Sequence, residues 1–172
     1  SINEYLVAVY VWSVYTECMH GMPSERPVRV AVPVNLRPYF NSITTKNFFV
    51  MVSAEFHPTK EIYTFEEVLK SVSESLRSQI SRENLEKLFS YNVSNEKLLA
   101  ARIVPLFLKN LAMRYVYTTS ALANTATVTN IGNISVSEEY RPYVEMFHAF
   151  LAMSKGQHLK GTICSYGDTL VF

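Results

Sequence analysis

Side chains able to do chemistry are few in this sequence and widely spaced. Its four histidines, His20, His57, His148 and His158, are the groups that could act as general bases or metal ligands. None adjoins another, and none stands at a fixed spacing from an aspartate. His57 and Glu61 are four apart, but a predicted strand ends at Pro58 between them, so two ligands on one helical turn are not expected there. All four histidines are read as surface or packing residues, with no metal. Cys18 and Cys164 lie far apart and match no ligand spacing, which reads as buried, reduced thiols of a cytoplasmic protein. There is no Gly-x-Ser-x-Gly elbow and no dinucleotide fingerprint, and five glycines are too few to suggest a phosphate cradle.

Two polar stretches stand out instead. The first is Val32-Pro33-Val34-Asn35-Leu36-Arg37-Pro38, followed by Asn47-Phe48-Phe49. The second is Thr127-Val128-Thr129-Asn130-Ile131-Gly132, with Cys164-Ser165-Tyr166-Gly167 later in the chain. By residue chemistry alone, Asn35 and Arg37 could simply finish a strand and cap a turn. Asn130-Ile131-Gly132 could equally be only a turn, since Asn and Gly tolerate positive φ.

The elements that must position these stretches follow from periodicity. Ser1 and Glu4 have capping-box spacing before a helix apolar on most of its circumference, which predicts burial on most of its circumference, ended by Gly21 and Pro23. Val28, Val30, Val32 and Val34 alternate as a strand. A Pro-, Asn-, Ser- and Thr-rich loop over 37–46 leads to a second strand, Phe48 to Phe56. Thr64 and Glu67 cap an amphipathic helix whose Val68, Val72, Leu76 and Ile80 share a face, while Glu66, Lys70, Glu74 and Arg77 face outward. Helical patterns return over Glu83 to Phe89 and Asn95 to Tyr117, with Pro105 as a kink or a fresh first turn. Ala126 to Thr129 reads as a short strand stopped at 130–133, and Tyr143 to Ala152 as a strand with a helix as its rival. Thr162–Tyr166 and Thr169–Phe172 flank Gly167-Asp168, a two-residue hairpin signal. This order predicts an α+β fold, a two-layer α/β sandwich in which helices cover a mixed β-sheet, with 1–172 as a single domain.

Composition narrows the class further. Of 172 residues, 48% are hydrophobic and 18% charged, an apolar excess suggesting either a well-filled interior or a face that packs against something else. That face predicts a homo-oligomer in solution. Net charge is +1 with Lys and Arg scattered, which argues against a nucleic-acid partner. No apolar run is long enough for a membrane span, and the expected location is the cytoplasm. An apolar helix at one end and a strand at the other give the expectation that both ends are cuts from a longer chain.

In order and setting, the two stretches resemble the C-terminal half of the chloramphenicol-acetyltransferase and condensation-domain superfamily, which includes alcohol acetyltransferases and plant BAHD enzymes. The resemblance covers the whole chain in element order and about a dozen positions in identity. It implies one half of the CoA-dependent acyltransferase fold, with acetyl-CoA or acyl-CoA (or a carrier-bound thioester) as co-substrate and a small alcohol as acceptor. Arg37 stands where the family has an arginine pairing with the aspartate of a His-His-x-x-x-Asp motif, a structural pair supported by Asn35 and by the backbone anchor Asn47. Thr129 and Asn130 match positions lining the substrate tunnel, where a hydroxyl can stabilise an oxyanion, and Gly132 closes the turn after them. The motif carrying the general-base histidine is absent from these 172 residues, and the resemblance implies that it belongs to an N-terminal half. Two alternatives stay open: a non-catalytic scaffold of the same fold, and a fragment of a peptide-synthetase condensation domain.

Overall fold

A computed structural model describes residues 1–97, 104–153 and 159–172. Four α-helices lie within them: α1 (Ile2–Ser13), α2 (Phe65–Gln79), α3 (Arg82–Lys97) and α4 (Leu106–Leu122). Five strands, β1 (Val28–Asn35), β2 (Phe49–Phe56), β3 (Ala126–Asn133), β4 (Lys160–Tyr166) and β5 (Thr169–Val171), form one sheet in the order β2-β1-β3-β4-β5. The sheet is mixed: β1/β3 and β3/β4 are parallel, while β1/β2 and β4/β5 are antiparallel.

Alternation in β1 and β2 sorts the side chains as the sequence predicts. Val28, Val30, Val32 and Val34 stand opposite Phe56, Ala54, Val52 and Val50 and share one face. That face, continued by Ala126, Val128 and Ile163, meets α1 and α2 in a common core. Helix α2 is amphipathic as expected, with Val68, Val72 and Leu76 buried beneath its Thr64–Glu67 capping box. Each such side chain, taken out of water, contributes roughly 1.5–3 kcal/mol.

Helix α1 departs from expectation. Its Ser1–Glu4 capping box forms, but only Val7, Ala8 and Val11 are fully buried, and Ile2 and Tyr5 are exposed. The helix meets the sheet on one side and α2 on another, through edge-on contacts of Tyr5 and Trp12 with Phe65. It then loosens into a π-turn over Val14–Cys18. Tyr15 Oη lies 2.9 Å from Gly21 O and 3.1 Å from Glu61 O, which ties this turn to the loop before α2.

Three further differences concern the last third. The β3 strand is not stopped at Asn130: it runs to Asn133, and Ile131 is an extra residue between the pairs Asn130↔Ile163 and Gly132↔Cys164. Gly132 therefore serves a bulge, at φ +84°, rather than a turn. Residues 144–150 form neither strand nor helix. Both edges of β4 are taken by β3 and β5, so this segment lies over the sheet face, with Phe147 against Tyr166 and Phe147 O 3.4 Å from Cys164 Sγ. The predicted 95–117 helix divides: α3 runs to Lys97, 98–103 lie outside the described residues, and α4 begins just after Pro105, whose carbonyl accepts from Lys109 N. Among exposed side chains, α4 carries Leu106, Phe107, Leu111, Met113, Tyr115 and Tyr117.

The outer edge of β2 would leave backbone groups unpaired. Gln79, at the end of α2, covers it: its Oε1 accepts from Ser53 N at 3.2 Å and its Nε2 donates to Ser53 O at 2.8 Å. Ser75 Oγ takes the next outward amide, Glu55 N, at 3.1 Å. Gln79→Ala removes both bonds to Ser53, and urea unfolding is expected to show a loss of about 1–2 kcal/mol. Faster amide exchange at Ser53 than in the wild type accompanies that loss, and an unchanged Ser53 rate counts against the clamp.

Candidate functional site

Pairing between β1 and β3 is short. Only Val30↔Ala126 and Ala31↔Thr127 are in register, after which the two parallel strands part. The cause lies in β1. Its odd-numbered residues turn their backbone N–H toward β3, as Arg29 N does toward Thr125 Oγ1 at 3.2 Å. Pro33 is the next but one in that series and has no N–H to give. Beyond it the strands splay, and a cleft of about 520 Å³ opens between them, lined by Asn3, Glu4, Asn35, Tyr39, Arg77 and Asn130 among others. The carboxyl ends of parallel strands are where open α/β sheets bind ligands.

Two sequence-predicted site residues, Asn35 and Asn130, meet at this cleft. Asn35 Oδ1 accepts from Arg37 N at 3.1 Å, the local turn that residue chemistry allows. Asn130 Oδ1 accepts from Gly132 N at 2.7 Å across the bulge, and Asn130 Nδ2 donates to Asn3 Oδ1. Thr129 does not join them, because neighbouring strand residues point to opposite faces of the sheet. Arg37 turns away from the cleft, its Nη2 donating to Thr44 O at 3.3 Å and Lys46 O at 2.9 Å, so it holds the 37–46 loop closed. Asn47 is exposed at the foot of β2, where it lines none of this cleft.

Glu4 and Arg77 close one side. Arg77 grips the Glu4 carboxylate with both ends of its fork, Nε to Oε1 at 3.0 Å and Nη2 to Oε2 at 2.8 Å. The Arg77 guanidinium is the main reason the Glu4 carboxyl is held well below its ordinary 4.5, at about 2. Sequence reasoning missed this pair and Asn3. Glu4 reads as a capping residue and Arg77 as a solvated helix face, and nothing local signals that they meet across 73 positions.

No histidine described lines the cleft. His20 is exposed at φ +54°, His57 Nε2 lies 3.5 Å from Glu55, and His148 sits beside Met146 and stacks on Phe150. His158 lies outside the described residues. Cys164 is buried as expected, but Cys18 is exposed, because the π-turn that carries it lies at the surface. Among the described residues no cluster of three or more His, Cys, Asp or Glu could hold a metal, and no helix is long and apolar enough to cross a membrane.

The cleft therefore offers amide donors and acceptors beside a closed ion pair. Comparison with protein-family models, with curated proteins and with solved structures gives no significant match.

The Glu4–Arg77 pair has a pH signature. A carboxyl whose folded pKa is depressed stabilises the fold above its unfolded value and loses that contribution as pH falls through the folded one. Here the window runs from about 4.5 down to about 2. Thermal midpoints of wild type and Arg77→Met are expected to differ most above pH 4.5 and to converge toward pH 2. A gap that stays constant over that range would show that the pair does not couple α1 to α2.

Proposed function

We propose that this chain is the C-terminal subdomain of an acyl-CoA-dependent O-acyltransferase, of the alcohol-acetyltransferase kind, and forms one wall of its substrate tunnel. In this reading the two-layer sandwich is half of the CoA-dependent acyltransferase fold, working in the cytoplasm. The observation that carries it is the meeting of Asn35 and Asn130, from the two family-like stretches, on a single cleft. Two segments almost a hundred residues apart, singled out for their resemblance, are the two lips of one opening.

The chemistry divides between halves. A histidine of the N-terminal half takes the proton from the acceptor hydroxyl, whose oxygen attacks the thioester carbonyl carbon. The tetrahedral intermediate places negative charge on the former carbonyl oxygen, where hydrogen-bond donors of this wall stabilise it. On collapse the carbon–sulfur bond breaks, and the CoA thiolate takes the proton from the imidazolium. Asn130 orders this wall, and Thr129 offers its hydroxyl on the opposite sheet face. Arg37, by holding the 37–46 loop, keeps its guanidinium at the surface where an aspartate of the other half would meet it.

A second reading, a non-catalytic interaction module, draws on α4, whose apolar side chains stand exposed around the helix. A carrier-bound thioester in place of free CoA remains the variant that a condensation domain would use.

Reading the source gene upstream of Ser1 decides between them: His-His-x-x-x-Asp within about one domain length supports the acyltransferase, and an upstream half without it supports the module. With acetyl-CoA and a small alcohol, the 172-residue chain alone is expected to release no thiol above background. A transfer rate from this chain, abolished by Asn130→Ala, would overturn the division of roles. The α4 surface carries its own expectation. Alone, the chain elutes as a dimer or larger, and Leu111→Glu with Tyr115→Glu returns it to monomer, whereas monomeric elution of the wild type at high concentration refutes self-association.

A further inference from the structure

Helix α4 has little protein around it. No other described element packs extensively on it, and from Leu106 to Thr119 every residue is exposed except Lys109, which is half-buried. A helix this apolar is not normally left to water. At about 100° per residue, Phe107, Leu108, Leu111, Tyr115 and Val116 fall within about half of its circumference. Lys109 and Arg114 stand at the two borders of that half, and neither forms an ion pair with a described residue. Asn110 and Tyr117 lie between them on the other side, with Leu106 and Met113. Charge sets the region apart as well. From Lys97 to Ser137 there is no Asp or Glu, while Lys97, Arg102, Lys109 and Arg114 fall within that stretch. The rest of the chain is therefore net acidic, although the whole carries +1.

We propose that α4 is a peripheral membrane anchor that lies in the plane of an anionic lipid surface, its apolar half among the acyl chains and Lys109 and Arg114 at the headgroup phosphates. An apolar helix bordered by cations and free of acids matches such a surface in both layers at once: hydrocarbon takes the Phe, Leu, Tyr and Val side chains, and the phosphate plane takes the charges. Border positions suit this arrangement, because the stems of lysine and arginine run along apolar surface while their heads reach the polar layer. A protein partner would instead have to supply an acid on each border of the helix. The helix does not span, since both cations fall inside its 17 residues. Because the rest of the chain is net acidic, an anionic surface attracts this segment and not the remainder, which orients the molecule. The proposal concerns a surface away from the cleft and does not depend on the acyltransferase reading.

The test is flotation of the 172-residue chain with vesicles of phosphatidylcholine, either alone or with about a quarter phosphatidylserine. Binding to the phosphatidylserine vesicles is expected, with little to the neutral ones, and it weakens as sodium chloride rises from about 0.05 to about 0.5 M. Lys109→Gln with Arg114→Gln keeps good helix formers at both positions and lowers affinity about thirtyfold, the combined effect of two cations at an anionic surface. Leu111→Glu with Tyr115→Glu abolishes binding. Arg26→Gln, an exposed cation at the other end of the fold from α4, binds as the wild type does. Circular dichroism of each variant matches the wild type, so a loss of flotation is not a loss of fold. Equal flotation with neutral vesicles, undiminished binding in the Lys109/Arg114 variant, or an equal loss in Arg26→Gln would each overturn the proposal. A wild type that stays oligomeric and does not float would overturn it too, and would assign the α4 surface to a second copy of the chain.

Discussion

Most of what distinguishes this molecule follows from one missing hydrogen. Pro33 stands in the middle of β1, a strand paired on both sides, at a position where the N–H would point to β3. Proline is normally kept out of such positions because it removes a ladder bond. Here the omission ends the parallel ladder after two residue pairs and lets the carboxyl ends of β1 and β3 separate. The antiparallel ladder with β2 does not suffer, because even-numbered residues serve that side, as Leu36 N does by bonding to Phe48 O at 3.0 Å. One substitution-sized feature thus opens a cleft on one side of a strand without loosening the other.

An opened sheet needs its exposed backbone accounted for, and short side chains do it. Asn35 receives the N–H of Arg37, and Asn130 receives the N–H of Gly132 within the bulge. Each bond satisfies the chain locally and, in the same act, orients an amide. Preorganised donors matter because they cost no rearrangement when charge develops on a ligand. The rigid background comes from the core face, where α1 and α2 pack on the valines of β1 and β2, and from Gln79, which seals the far edge. The opposite face is thinner, covered in part by the irregular 144–150 segment near Cys164.

The parts legible in the sequence are those governed by short-range rules. Alternating valines, two capping boxes, an amphipathic α2 and the Gly167-Asp168 hairpin all stand as read, since each is set by neighbours within a few residues. Failures came where one local signal serves two structures. Asn130-Ile131-Gly132 is as suited to a bulge as to a turn, because both need a residue at positive φ, and only the pairing with β4 decides. Alternation in 143–152 signals a strand, yet both edges of β4 are held by β3 and β5, and the segment instead meets β4 through Phe147 against Tyr166 and Cys164. For the site, Asn35 and Asn130 were legible as polar residues at strand ends. Asn3, Glu4 and Arg77 were not, because helix crossing alone brings them there.

The distribution of proton-handling groups bears on how such a cleft could work. Its amides donate and accept hydrogen bonds but do not titrate, and its one carboxylate is held ionised by Arg77 down to about pH 2. A group so strongly committed to one protonation state is a poor acid or base near neutrality, where an effective catalyst needs a pKa close to the working pH. The histidines described stand elsewhere: His57 at the end of β2 beside Glu55, His20 in the turn after α1, His148 over the far sheet face. In the acyltransferase reading proposed above, the asparagine amides of this cleft would face the carbonyl, and no histidine described stands beside them. Acyl transfer needs both a base and a group that holds the carbonyl, so the reading proposed above requires its base to come from a second surface.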